Sequence, residues 1–387
     1  MDLKKINFKQ YGMIIALVLI IIIFQLLTDG VLLQPLNITN LMLQNSYILI
    51  LAIGMLLVIV TGNIDLSVGS VAGFAGAISG VLIVSQGRPI WLAIIIVLII
   101  GGIAGAFHGY WIAYKKIPAF IVTLAGMLAF RGATLVVLGG QTVSPFPESF
   151  QVIGSGFLMN YFSGLNVYVV TFAITGLLSL IYIFIEFRTR KSQIEHEMKV
   201  STFGVFIAKL IIVSGVLNIF GFALASHNGI PMVLILVVVL AIIYHFISTK
   251  TVAGRHIYAY GGNAKAAELT GLKTKQLVFW VYVNMGVLSA LAGLVFAARL
   301  NAATPRAGTN FELEAIAAAF IGGASPMGGV GKVWGAIIGA FVMGILNNGM
   351  SILGIGVDYQ LAIMGIILLS AVVFDVYTKS KPTEDGE

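Results

Sequence analysis

Cysteine is absent from the 387-residue chain, which excludes disulfides, iron–sulfur clusters and thiolate zinc sites. Charge is scarce too. Only 10% of residues are Asp, Glu, Lys or Arg, against 59% hydrophobic residues and a mean hydropathy of +1.03. A soluble domain is about 25% charged, so a chain this apolar needs lipid as its solvent. In lipid only helices or closed barrels satisfy every backbone group. Barrel strands alternate apolar and polar residues, whereas runs such as Gly12 to Leu27 and Met232 to Phe246 are continuously apolar. The expected fold is therefore all-α and polytopic.

Catalytic machinery is missing as well. A phosphate-binding loop needs G-x-x-x-x-G-K-[ST]; the nearest match, at Gly331 and Lys332, has Pro326 in place of the first glycine and Val333 in place of the hydroxyl residue. No H-E-x-x-H or G-x-S-x-G pattern occurs, and the 5 histidines are scattered. No catalytic residue, cofactor or metal is expected, and any nucleotide-driven step would need a second polypeptide. What is abundant is glycine, 45 residues without fixed period and lying inside apolar runs, the composition that lets membrane helices approach closely. The net charge of +7 comes from cations flanking apolar runs, which points to membrane topology rather than nucleic acid.

Twelve runs approach the ~20 residues that cross a bilayer: 11–28, 41–61, 67–85, 91–114, 118–138, 167–187, 204–226, 231–248, 277–298, 313–327, 332–350 and 358–376. The tenth is short and Gly-rich, as a partial crossing would be. No A-x-A-like cleavage site follows Leu27, so the first run reads as a retained span. Of the 22 Lys and Arg residues, an N-terminus-inside topology leaves Arg88, Arg299 and Arg306 outside and Arg131 and Lys209 within spans; the remaining seventeen are cytoplasmic. That bias predicts this orientation, with both termini cytoplasmic, one membrane domain over 1–377 and a disordered tail over 378–387. The outer segment from Gly139 to Asn166 has no Lys or Arg. Arg131 is expected either to snorkel outward or to pair with a carboxylate, and Lys209 to snorkel inward.

Three polar segments interrupt the apolar pattern. In TGNIDLSVGS (Thr61 to Ser70), Asp65 and Ser67 either cap the third span or, with Asn63, line a translocation path or its inner gate. In AYGGNAKAAELTGL (Ala259 to Leu272), Asn263 is placed to start a short helix and Gly271 to end it in the left-handed conformation. Ala266, Ala267 and Thr270 would give that helix a small flat face. In NFELEAIAAAFIGGASPMGGVG (Asn310 to Gly331), Glu312 and Glu314 suit a helix N-terminus. Asn347 and Asn348 in GILNNG either bond neighbouring helices or line the path. Spans three and ten share an acidic start followed by small residues, and they run oppositely, which suggests an inverted repeat relating spans 2–5 to spans 9–12.

These segments, with PAFIVTLAGMLAFRG (Pro118 to Gly132), resemble in order and over most of the chain the permeases of bacterial monosaccharide ABC importers, closest to the xylose and multiple-monosaccharide branch. The resemblance implies an inner-membrane, ten-helix core, a permease homodimer, a cytoplasmic ATPase and an extracytoplasmic sugar-binding protein. It also implies that Gly262, Asn263, Ala266, Ala267, Thr270 and Gly271, within a cytoplasmic loop of about 249–276, contact the ATPase. Candidate path or gate residues are Asn63, Asp65, Ser67, Thr123, Arg131, Glu312, Glu314, Asn347 and Asn348. Residues of about 164–227, containing spans six and seven, are inserted relative to the shorter permeases, and their basic loop from Arg188 to Lys199 would face anionic lipid. Permeases for another small solute (a branched-chain amino acid, a nucleoside or a signalling sugar) and an ion-coupled sugar transporter with Asp65 as coupling site remain as alternatives.

Overall fold

A computed structural model describes residues 8–161, 164–198 and 200–380. Fifteen α-helices follow in order: α1 (Phe8–Leu27), α2 (Pro35–Val60), α3 (Val68–Gly80), α4 (Ile90–Ala113), α5 (Ala119–Leu138), α6 (Glu148–Ser155), α7 (Val167–Glu195), α8 (Phe203–Ala225), α9 (Met232–Lys250), α10 (Val252–Gly262), α11 (Ala264–Leu269), α12 (Thr274–Leu300), α13 (Phe311–Ile321), α14 (Val333–Ile352) and α15 (Val357–Ser380). A π-helical turn, Val81–Ser85, extends α3. Counting α3 with that turn, nine helices among the described residues are long and apolar enough to cross a bilayer. Gly12–Leu27 and Val357–Ser370 are shorter apolar stretches.

Each of the twelve expected runs contains a helix, and the tenth is short, as a partial crossing would be. The tenth run stops early: α13 has 11 residues, about 16 Å of helix, half of a ~30 Å hydrocarbon core. It ends at Gly322, and the chain then turns through Gly323, Gly328 and Gly329, all at positive φ. The outer segment 139–166 is not a free loop. It contains α6, whose Phe150 is fully buried and which packs on α12 and α9. The expected boundary at Thr378 falls inside α15, which continues through Ser380; residues 381–387, like Lys4, Lys5 and Lys199, lie outside the described residues.

The core is built on α2 and α12. In their most apolar windows 83% and 72% of residues are buried, against 17% and 11% for α7 and α8, which marks the latter pair as peripheral. Helix pairing around the two central helices repeats: α4 and α3 pack on α12, while α14 and α13 pack on α2; α3 also packs on α5, and α13 on α15. That is the correspondence an internal repeat of spans 2–5 and 9–12 requires. Glycine sets the closeness. A Cβ on Gly286 of α12 would collide with Gly101 O and Gly105 of α4, and one on Gly339 of α14 with Ala318 O of α13.

Segments assigned to one side of the membrane do meet. Val143 pairs with Ala303, and Phe157 with Pro231, joining three expected outer segments. At the other end Gly329 N–H donates to Val60 O at 2.8 Å and the Tyr258 hydroxyl to Gly331 O at 2.8 Å. The α7–α8 hairpin is held by Asn218, which bonds Ser179 Oγ (2.9 Å), and by Lys209, which pairs with Glu186 at 2.7 Å instead of reaching out alone.

Candidate functional site

The turn between α2 and α3 is organised by its own side chains. Thr61 Oγ1 donates to Val58 O at 2.6 Å and accepts from Asn63 Nδ2 at 3.0 Å. Asp65 Oδ1 accepts the Ser67 backbone N–H at 2.8 Å and its hydroxyl at 2.6 Å. Asp65 and Ser67 are 3% and 1% exposed, so a carboxylate sits deep in the bundle held by two close donors. Of the two expected caps only Asp65 engages a backbone amide; Ser67, at the N-cap position, makes no side-chain cap bond. Ser67 Oγ instead meets His108 Nδ1 of α4 at 3.2 Å. His108 is buried, its other ring nitrogen has no partner, and its ring lies against Gly126 of α5. Thr123 is one turn nearer the start of α5; its hydroxyl back-bonds Ala119 O at 2.9 Å.

The half-length α13 joins both halves of the repeat. Glu312 points toward α3 and α5: its carboxylate abuts Gly69, and Arg131 Nη2 lies 3.8 Å from its Oε1. Arg131 thus takes the second of its two expected courses, pairing with a carboxylate. Glu314 points toward α2 and α14. It accepts from the Tyr47 hydroxyl at 2.8 Å and from Asn347 Nδ2 at 3.0 Å, and the Tyr47 ring stacks on Phe311 at 3.9 Å between centroids. Asn348 exchanges two hydrogen bonds, 2.8 and 3.1 Å, with Asn37 of α2. The expected residues therefore form three linked groups rather than one constellation. The turn group is Asn63, Asp65 and Ser67 with Thr123 nearby; the other two are Arg131 with Glu312, and Glu314 with Asn347 and its neighbour Asn348.

Tyr47, Asn37 and His108 belong to these groups and carried no sequence expectation. His108 had a usable signal, since it is a lone polar side chain inside the run from Ile90 to Ala113.

At the far end of the turn lies the second feature. Asn263 Oδ1 accepts the Ala266 N–H at 2.9 Å and so starts α11. Gly271, at φ +84°, ends it as a left-handed residue. Ala267 is buried, so the flat outer face expected from Ala266, Ala267 and Thr270 lacks its middle member; Ala266, Thr270 and Leu269, the last 81% exposed, face out. Gly261, at the end of α10, lies against Val60 O and Gly329 N. There a side chain would separate α10 from the end of α2. Burial raises the phenol pKa of Tyr258 and Tyr260, with Glu268 adding to the effect on Tyr260. Both hydroxyls thus stay protonated, and the Tyr258 bond to Gly331 persists at neutral pH. α11 is in this way tied through α10 to the last residue of α2, Val60, five residues before Asp65.

The family described as branched-chain amino acid transport system / permease component matches residues 37–372. The chain is 40% identical over 381 residues to the xylose transport system permease protein XylH of Haemophilus influenzae, covering 98% of this chain and 99% of that one. It is 39% identical over 384 residues to the XylH of Escherichia coli K12, covering 98% and 94%. To the ribose import permease protein RbsC of Bacillus subtilis it is 34% identical over 378 residues, covering 96% and 95%. No solved structure matches the chain.

Proposed function

The chain belongs to the permease family of ATP-binding-cassette sugar importers of bacterial inner membranes, and on that premise we propose that it imports a monosaccharide, xylose or a related sugar, by alternating access. The observation that carries the substrate class is the near full-length correspondence with a xylose permease, 40% identity over 98% of this chain.

The proposed topology is a ten-helix core with both termini cytoplasmic, plus the α7–α8 hairpin as two added spans. The charge distribution supports the orientation, and the meeting of like-assigned segments at each end supports the sidedness. Residues 1–377 form one membrane domain. The chain works as a homodimer, with a cytoplasmic ATPase and an extracytoplasmic sugar-binding protein as partners.

The ATPase docks on the outward face of α11: Gly262, Asn263, Ala266, Thr270 and Gly271, with Leu269 as its apolar centre. Ala267 supports that face from beneath. A push on α11 travels through α10 to the contact of Gly261 with Val60 and Gly329, and so reaches both the Asp65 turn and the turn after α13. Those two turns open or close the inner end of the path. Along it the bonded groups of Asn63, Asp65, Ser67 and Thr123, of Arg131 and Glu312, and of Glu314, Asn347 and Asn348 hold the wall. A neutral sugar needs matched hydroxyl partners for selectivity, so the binding protein supplies most of it.

Reconstitution tests this. Liposomes with the permease alone should accumulate no xylose; adding ATPase, binding protein and ATP should give uphill uptake. Accumulation by the lone chain under a proton or sodium gradient would replace this mechanism with an ion-coupled one.

A further inference from the structure

A groove of about 800 Å³ lies between α9 and α12, where α10 and α11 fold back against them. Its size is that of a ligand cleft, roughly 300–1,000 Å³. Leu57, Ile257 and Val281, all buried, form its floor, and Leu277 and the exposed Trp280 form one wall. The polar groups are not spread evenly. His256, Lys273 and Gln276, all exposed, form its open end, and among the described residues no carboxylate lines it. At its inner end the Tyr244 hydroxyl bonds Asn284 Oδ1, and Asn284 Nδ2 is left buried without a partner. The groove thus has a cationic mouth, an apolar trough and one unmet donor.

Its depth identifies the occupant. Lys273 immediately precedes α12, at the polar margin of the apolar run that begins at Leu277, and Asn284 stands eleven residues further along the helix. That is about 16 Å of helix, of which about 10 Å lies within one ~15 Å leaflet of the hydrocarbon core. A ligand filling the space would be charged negatively at the membrane surface and apolar below it. We propose that the groove holds one anionic phospholipid, its phosphate headgroup at Lys273 and His256 and an acyl chain between α9 and α12. Ala267, buried beneath the outward face of α11, lines the same groove, so the lipid braces the docking helix from behind. The permease then couples well to its ATPase only in a bilayer that contains acidic lipid. The site itself depends only on where the helices leave the membrane and not on which sugar is carried.

Purified permease in nanodiscs of equal phosphatidylglycerol and phosphatidylcholine, released into native mass spectrometry, tests the proposal. One phosphatidylglycerol should stay bound in preference to phosphatidylcholine. Lys273→Glu should cut that retention by about fivefold or more, the effect of one basic residue at an anionic surface, while Lys273→Arg keeps it. Lys273 makes no side-chain cap bond, so the reversal leaves α12 intact, and unchanged thermal unfolding would verify this. Equal retention of the two lipids, or retention indifferent to Lys273→Glu, would overturn the proposal. So would expulsion of the lipid on adding the ATPase, which would give the groove to a protein partner.

Discussion

Glu314 shows what a buried carboxylate does in this bundle. Two donors from different helices, the Tyr47 hydroxyl and the Asn347 amide, converge on its two oxygens. Glu314→Ala would strand both, at about 1–3 kcal/mol for each buried unmet donor, whereas Glu314→Gln keeps one acceptor and should lose about half as much. Thermal unfolding in a bilayer mimetic separates the two; equal stability of the Ala and Gln proteins would mean that water already satisfies the donors. Asp65→Asn is expected to be milder. Its Oδ1 can still accept both Ser67 donors, so only the charge-assisted part of the bonding is lost, about 1 kcal/mol, and undiminished xylose uptake would show that ionisation there is dispensable. The sequence marked Glu314 and Asn347 as polar residues in apolar surroundings, but it could not pair Glu314 with Tyr47, which lies 267 residues away. A capping assignment needs only neighbours. Asn263 and Gly271 were therefore legible, and the partners of Arg131 and Asn348 were left open.

Between elements, closeness is set by glycine and by one ion pair. Gly286 of α12 faces Gly101 and Gly105 of α4 with no room for a methyl group, and Gly286→Val should force the two helices apart and abolish the folded protein in expression and size-exclusion assays. Gly215 of α8 has nothing within 4 Å of its missing Cβ, so Gly215→Ala should be neutral or stabilising by up to about 1 kcal/mol. If both substitutions are tolerated alike, small-residue packing does not hold α4 to α12. Arg131 and Glu312 tie α5 to α13 at 3.8 Å, the arginine 38% and the glutamate 6% exposed. A double-mutant cycle with Arg131→Gln and Glu312→Gln should give about 0.5–1 kcal/mol of coupling, since 3.8 Å is too long for a hydrogen bond and leaves only the charge attraction; zero coupling would make the pair incidental. Continuous apolar runs made the long helices easy to place. The shortness of α13 was signalled only by its glycine content, because its end is set by positive-φ glycines, of which Gly323 comes first; hydropathy does not register them, and the apolar run of 313–327 passed through that residue.

At the scale of the whole molecule, the α7–α8 hairpin is built as a detachable part. Its polar seam is internal, with Asn218 bonding Ser179 and Lys209 pairing with Glu186, and α7 packs chiefly on α8. The chain leaves the core and returns to it at one place. Leu158 N–H donates to Ile230 O at 2.9 Å, and Met232 N–H to Gly156 O at 2.9 Å. Residues opposed across an antiparallel pair are about 5 Å apart at Cα, a gap that two residues close as a hairpin turn. Replacing residues 159–229 by Asn-Gly should therefore leave the repeat around α2 and α12 intact. The cost is exposure of the face of α2 that α8 covers; in a bilayer that face meets lipid tails as apolar as the side chains it loses, so little driving force is lost. The shortened protein should elute as a monodisperse species, bind the proposed ATPase partner and import sugar at a rate within a few-fold of the full chain. Aggregation of the shortened chain in detergent, together with failure to insert in cells, would show that the hairpin belongs to the fold rather than to its periphery.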